Sequence, residues 1–195
     1  MNKPLNICVY CASSTKIDAA YFEAADALGR LMAEQGMTLV NGAGSMGLMR
    51  ACADGCLKAG GKAIGVIPSF MVANGWCHDG MTQIIETKDI HTRQEKMAEM
   101  SDAAVFLPGG CGTLAEMTEL ITWKQLGIYL KPIVLLNTLG YFDPLLKVLR
   151  QAIDQHFMRP QHAGIWQVAE TPEEALRLAV TTPLWDTDIK RFGVK

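Results

Sequence analysis

The sequence predicts a Rossmann-like, doubly wound α/β domain, a parallel sheet covered by helices on both faces. Short apolar runs suited to buried strands alternate along the chain with stretches whose apolar residues recur at helical spacing. Glycine-rich turns stand at two of the strand-to-helix junctions, at 42–47 and 108–113. Repeated β-α units of this kind bury their strands on both sides. At 195 residues the chain is about one ordinary domain, with no internal repeat and no linker. The expected organisation is a single nucleotide-binding domain over 1–182 and a C-terminal tail over 183–195.

The elements follow in order. Leu5 to Tyr10 reads as a strand, and a helix runs from Asp18, a candidate N-cap, to Gly36, a candidate C-cap. Met37 to Asn41 is a second strand, Leu48 to Ala59 a helix, and Ala63 to Ile67 a strand closed by Pro68. Residues 69–80 read as loop, Thr82 to Glu86 as strand, and Ile90 to Met100 as a helix carrying His91 and Arg93. Ala103 to Leu107 is a buried strand, followed after the second glycine turn by a helix to about Gly127. Pro132 to Leu136 is another strand and Asp143 to His156 another helix. Thr171-Pro172-Glu173-Glu174 opens the last helix, with proline at its first position and a capping-box glutamate at its third.

Composition narrows the function. Lysine plus arginine number 18 against 20 aspartates and glutamates, a net charge of −2, and no basic run stands out. That argues against nucleic acid and acidic membrane surfaces as partners. No apolar stretch approaches a bilayer span and no signal peptide is visible, so the expectation is a soluble, cytoplasmic protein. Six cysteines include Cys8-x-x-Cys11 and the pair Cys52 and Cys56. A four-thiolate zinc site is disfavoured because Cys8 falls inside the first strand, and no metal site is expected. Reduced, mostly buried thiols fit better.

The most informative segment is Pro108-Gly109-Gly110-Cys111-Gly112-Thr113, running into Leu114-Ala115-Glu116-Met117-Thr118-Glu119. A glycine turn from a strand into a helix N-terminus presents unpaired N–H groups and the positive end of the helix dipole, which suits a phosphate. Glu116 follows Thr113 by about one helical turn, and Glu119 continues the same face. A carboxylate repels phosphate, so its placement there points to another part of a phosphorylated molecule, such as a sugar. Thr113-x-x-Glu116 also has capping-box spacing, and spacing alone leaves both readings open.

In a doubly wound sheet, ligands bind where loops leave the carboxyl ends of strands. Ser13, Ser14 and the 42–47 loop belong there with the phosphate turn. Gly42-x-Gly44-x-x-Gly47 matches the dinucleotide fingerprint, but it follows the second strand and no acidic residue closes the third. A mononucleotide fits better than nicotinamide or flavin.

With His91-Thr92-Arg93 ahead of the 108–119 segment, and with Gly44-Ser45-Met46-Gly47-Leu48-Met49, the chain resembles the Lonely Guy family of cytokinin-activating phosphoribohydrolases. The resemblance runs from the Ser13-Ser14 loop to about Met158. It implies hydrolysis of the N-glycosidic bond of (N6-modified) adenosine 5′-monophosphate to free base and ribose 5-phosphate. It implies no cofactor, and a homodimer with sites near the interface, for which the apolar helix Met117 to Leu126 is suited. Position by position, Arg93 and Glu116 match the catalytic pair, and Gly109, Gly110, Gly112 and Thr113 match the phosphate loop. Ser13, Gly42, Gly44, Ser45 and Glu119 complete the candidate substrate-binding residues.

The chain departs from the family in several places. Ile90-His91-Thr92-Arg93-Gln94 stands where the family commonly shows Met-His-x-Arg-Lys, which removes one positive charge near the proposed site. Gly42-Ala43-Gly44 replaces three glycines, Ala12 replaces a glycine, and Asn74-Gly75-Trp76 stands where many members place an acidic residue. Three other functions are compatible with the same fold and motifs: a general nucleotide nucleosidase of salvage, a molybdenum-cofactor carrier-like binding protein, and an amino-acid decarboxylase. The last is disfavoured because no Schiff-base lysine can be identified.

Overall fold

A computed structural model describes residues 4–186. Seven strands form one sheet in the order β4-β3-β2-β1-β5-β6-β7, all parallel: β1 Asn6–Tyr10, β2 Thr38–Asn41, β3 Lys62–Pro68, β4 Gln83–Thr87, β5 Ala103–Phe106, β6 Ile133–Leu136 and β7 Gln167–Ala169. The helices between them are α1 Ala19–Glu34, α2 Gly47–Lys58, α3 Ser69–Ala73, α4 Ile90–Met100, α5 Cys111–Gln125, α6 Asp143–Asp154 and α7 Pro172–Thr181.

Alternation along β1 divides the interior in two. Ile7 and Val9 face a core with Leu28 and Met32 of α1, Cys52 of α2 and Leu176 of α7. Cys8 and Tyr10 face the opposite core with Met97 of α4, Met117 of α5 and Phe142. Tyr10 lies opposite Phe106 across the β1–β5 ladder, the rings stacked at 4.6 Å. The two members of the Cys8-x-x-Cys11 pair therefore belong to opposite faces, and all six cysteines are free.

The expected caps form. Asp18 accepts from the Ala20 N–H at 2.9 Å and Thr171 from the Glu174 N–H at 3.2 Å. Gly36 takes positive φ just beyond α1. The Glu174 carboxylate reaches back to the Glu170 N–H, one residue earlier than a capping box would place it. Among the α-helices and strands, two are not legible in the sequence. Helix α3 occupies part of the stretch expected as loop, and β7 is a three-residue edge strand too short to display a period.

Helix α1 lies close on α2 because two mid-helix glycines meet backbone. A Cβ on Gly29 would stand 2.0 Å from the Cys52 carbonyl oxygen, and one on Gly55 2.3 Å from that of Asp26. After α7 the chain runs back along the domain as far as residue 186. The Trp185 N–H donates to the Leu130 carbonyl at 2.7 Å, and its indole lies 5.6 Å from Lys124 Nζ. The start of the expected tail thus packs against the domain, while its remainder, 187–195, lies outside the described residues. Among the described residues no helix is long and apolar enough to cross a membrane.

Connections leave β1 toward one face and β5 toward the other, so the crevice between their carboxyl ends is the topological switch point of the sheet. The phosphate-type turn and the Ser13 loop both open there.

Candidate active site

The turn after β5 passes through Leu107 and Pro108 to Gly110, the N-cap of α5, which has no side-chain capping bond. The N–H groups of Cys111, Gly112 and Thr113 therefore begin the helix without partners four residues back. Its glycines do two different things. A Cβ on Gly109 would meet Thr113 Oγ1 at 2.2 Å, so Gly109 lets the buried Thr113 side chain fold against the turn. A Cβ on Gly110 or Gly112 would meet nothing within 4 Å. Those two positions leave open space, the shape required of a cradle for a small anion.

Because Gly110 is the N-cap, Thr113 is the third helical residue and Glu116 lies in the second turn. The capping-box reading is removed: Glu116 is not tied to its own helix end. It faces Arg93 instead, Nη1 to Oε1 at 3.1 Å, with both side chains largely covered, 12% and 15% exposed. Arg93 sits in the first turn of α4, whose N-cap Asp89 accepts from the Thr92 N–H at 2.8 Å. Arg93 Nε donates to the Val66 carbonyl of β3 at 3.2 Å.

Gly42 explains how the guanidinium reaches this position. A Cβ there would lie 2.0 Å from Arg93 Nη2 and 3.0 Å from Cζ. Across the 42–47 loop, missing side chains admit neighbouring protein groups: Met49 against Gly44, the Ser13 backbone against Gly47. Ala12 ties this together, its carbonyl accepting from the Leu48 N–H at 2.9 Å and its N–H donating to Pro108 at 3.3 Å. The fingerprint of glycines thus assembles the walls of the site.

The result is a cavity of about 290 Å³ lined by Ser13, Ser14, Gly42, Met49, Arg93, Gly110, Gly112, Thr113 and Glu116, with Tyr10 and Cys11 behind. Of the expected residues, Ser13, Gly42, Gly110, Gly112, Thr113, Arg93 and Glu116 come together here. Gly109 lies buried within the turn. Gly44 and Ser45 stand outside the lining, Ser45 with its N–H on the Trp76 carbonyl at 2.9 Å. Glu119, one turn beyond Glu116, is also outside the lining, yet it acts electrostatically. Burial pushes the Glu116 carboxyl above the ordinary glutamate range, Arg93 pulls it back, and Glu119 adds to the rise.

Gln94 also departs from its expected place. It is buried, outside the cavity lining, and its amide donates to the Glu116 backbone carbonyl at 3.3 Å. The Met49 wall and the Val66 carbonyl went unforeseen. Methionine at helical spacing signals only packing, and a backbone acceptor leaves no sequence trace. Trp123 lies away from this cavity, lining a larger one of about 1050 Å³ with Leu5, Ile7 and Pro132 at the amino ends of the strands.

Comparison with known proteins bears on this constellation. Residues 49–179 match the protein family described as "Possible lysine decarboxylase". The cytokinin riboside 5′-monophosphate phosphoribohydrolase LOG7 of Arabidopsis thaliana is 39% identical over 171 residues, which are 88% of this chain and 79% of that protein. The corresponding LOG enzyme of Oryza sativa subsp. japonica is 37% identical over 184 residues, 94% and 76% of the two chains.

The chain belongs to the Lonely Guy family.

Solved structures similar to it include the molybdenum cofactor binding protein of Rippkaea orientalis, at TM-score 0.69 and 27% identity over 91% of this chain and 96% of that one. The molybdenum cofactor carrier protein of Chlamydomonas reinhardtii follows, at TM-score 0.67 and 25% identity over 90% and 95%. The decarboxylase named in that family description finds no Schiff-base lysine in this Lonely Guy cavity, since no lysine is among its lining residues. The buried Lys124 is committed to the Lys131 carbonyl at 2.8 Å.

Proposed function

We propose that this chain hydrolyses the N-glycosidic bond of adenosine-type nucleoside 5′-monophosphates, N6-modified ones included, to the free base and ribose 5-phosphate. The carrying observation is the Arg93–Glu116 pair, 3.1 Å apart, on the wall of a cavity that also contains an uncapped glycine turn. The phosphate would rest on the N–H groups of 110–113 and Thr113, with Ser13 alongside. This placement sets the ribose against Glu116.

Cleavage of C1′–N builds an oxocarbenium-like ribose, the electronic demand also met in glycoside hydrolysis. Arg93 engages Glu116 Oε1, leaving Oε2 to stabilise that cation and to accept a proton from the attacking water. Water oxygen forms the new C1′–O bond, the C1′–N electron pair leaves with the base, and the proton taken from water replaces it on the base nitrogen. Arg93, always charged, orients Glu116 and the substrate and donates no proton. The enzyme would work in the cytoplasm as a homodimer, a state supported by the exposed Leu126 and Ile128 at the end of α5 and read out by gel filtration.

Chromatography of adenosine monophosphate and isopentenyladenosine monophosphate after incubation with wild type and Glu116→Gln tests the reading. Glutamine keeps the side-chain shape and removes the charge. Base release should fall by about 10²- to 10⁴-fold; unchanged turnover removes Glu116 from the mechanism. The two nucleotides also rank a cytokinin-activating enzyme against a salvage nucleosidase. The similarity to cofactor carriers supports a second reading, a binding protein that retains a molybdenum cofactor and releases no base from either nucleotide.

A further inference from the structure

The segment after β6 reaches into the phosphate turn without lining the cavity. Asn137 closes that segment on itself: its Oδ1 accepts from the Phe142 N–H at 2.7 Å and its Nδ2 donates to Asp143 Oδ1 at 2.9 Å. Leu139 and Gly140 both take positive φ in the bend between. Phe142 is fully buried, so the residue before it is delivered in one direction. Tyr141 packs edge-on against Phe142 at 5.2 Å and against Tyr21 of α1 at 6.2 Å. Its hydroxyl donates to the Gly109 carbonyl.

That carbonyl shares a peptide plane with the Gly110 N–H. No cis peptide occurs among the described residues, so the two groups point in opposite directions. Fixing the carbonyl toward Tyr141 fixes the N–H away from it. Glycine at 109 and 110 offers the plane little resistance to rotation, and Gly110 has no side-chain cap to hold it.

We propose that Tyr141 is a positioning residue for the 5′-phosphate, its hydroxyl locking the Gly109–Gly110 peptide so that the amide of residue 110 serves the anion. The proposal rests on the phosphoribohydrolase reading for its substrate and extends it to a residue on a separate strand connection. Tyr141 touches no reacting atom, so its loss should weaken phosphate binding and leave the bond-breaking step nearly intact.

Tyr141→Phe keeps both ring contacts and removes only the hydroxyl. Three readouts compare it with wild type: steady-state hydrolysis of adenosine monophosphate, calorimetric titration with ribose 5-phosphate and inorganic phosphate, and inhibition by free adenine. One lost hydrogen bond should raise KM and both dissociation constants by about three- to tenfold, with a smaller fall in kcat and no change in adenine inhibition or thermal midpoint. Unchanged ribose 5-phosphate and phosphate binding overturns the proposal, as does a loss confined to kcat. A lowered thermal midpoint with adenine inhibition weakened in parallel would make the residue merely structural and overturn it equally. Titration needs no turnover, so the two ideas separate. A wild type that releases no base, with phosphate binding weakened in the variant, removes the function and keeps the positioning role. Base release with identical phosphate binding in both proteins does the reverse.

Discussion

Replacing Gly42 by alanine should separate the chemistry of this protein from its folding. The added Cβ would stand 2.0 Å from Arg93 Nη2 and 3.2 Å from Met49 Sδ. An ordinary contact is about 3.5 Å, so the guanidinium must retreat by about 1.5 Å. The group is rigid and planar, and after such a shift it cannot keep both its 3.1 Å contact with Glu116 and its 3.2 Å bond to Val66. A misplacement of this size costs about 10²-fold in rate, close to 2.7 kcal/mol of transition-state stabilisation. Backbone strain is absent, because Gly42 does not occupy the left-handed region. The colliding atoms are ends of flexible side chains rather than backbone, so the protein should still fold, its thermal midpoint lowered by only a few degrees for about 1 kcal/mol of weakened polar contact. Initial rates of base release, paired with a melting curve, check this. Wild-type kcat/KM in a folded Gly42→Ala protein would refute the claim that the glycine exists to admit Arg93, and with it the role given to the ion pair.

The acid limb of the rate profile should report Glu116. Its carboxyl titrates above the ordinary 4.5 because burial outweighs Arg93, and the reaction uses the ionised form, so kcat/KM should rise with pH through a midpoint above that value. Glu119→Gln removes a like charge that raises the midpoint and should move the limb to lower pH; a shift upward would contradict the assignment. Gly29→Ala should show the converse of Gly42→Ala. Its Cβ meets the Cys52 carbonyl at 2.0 Å and backbone must give, so stability should fall by about 1–3 kcal/mol in denaturant titration while kcat/KM of the remaining folded enzyme stays near wild type.

Most of the framework could be read from the residues because its causes are local. Apolar runs, the Asp18 and Thr171 caps and the two glycine turns are properties of consecutive residues, and each formed where the sequence placed it. Helix α3 and strand β7 escaped because five and three residues are too short to show a period. The phosphate turn was legible for the same local reason, since a strand, glycines and a helix start suffice to specify it.

What the tertiary structure alone decided is who meets whom. Thr113-x-x-Glu116 fits a capping box by spacing, and only the position of Gly110 as N-cap releases Glu116 from that task. Gly42 resembles a ligand-facing glycine until Arg93, 51 positions later, is seen to fill its missing side chain. Gln94 reads as a lost charge at the site, yet it supports the Glu116 backbone from within the core. Tyr141 carries no motif at all and still holds the turn. In each case the sequence fixes which groups exist and their local backbone, whereas packing of one sheet against two helical layers sets the distances between groups on different elements, and the chemistry depends on those distances.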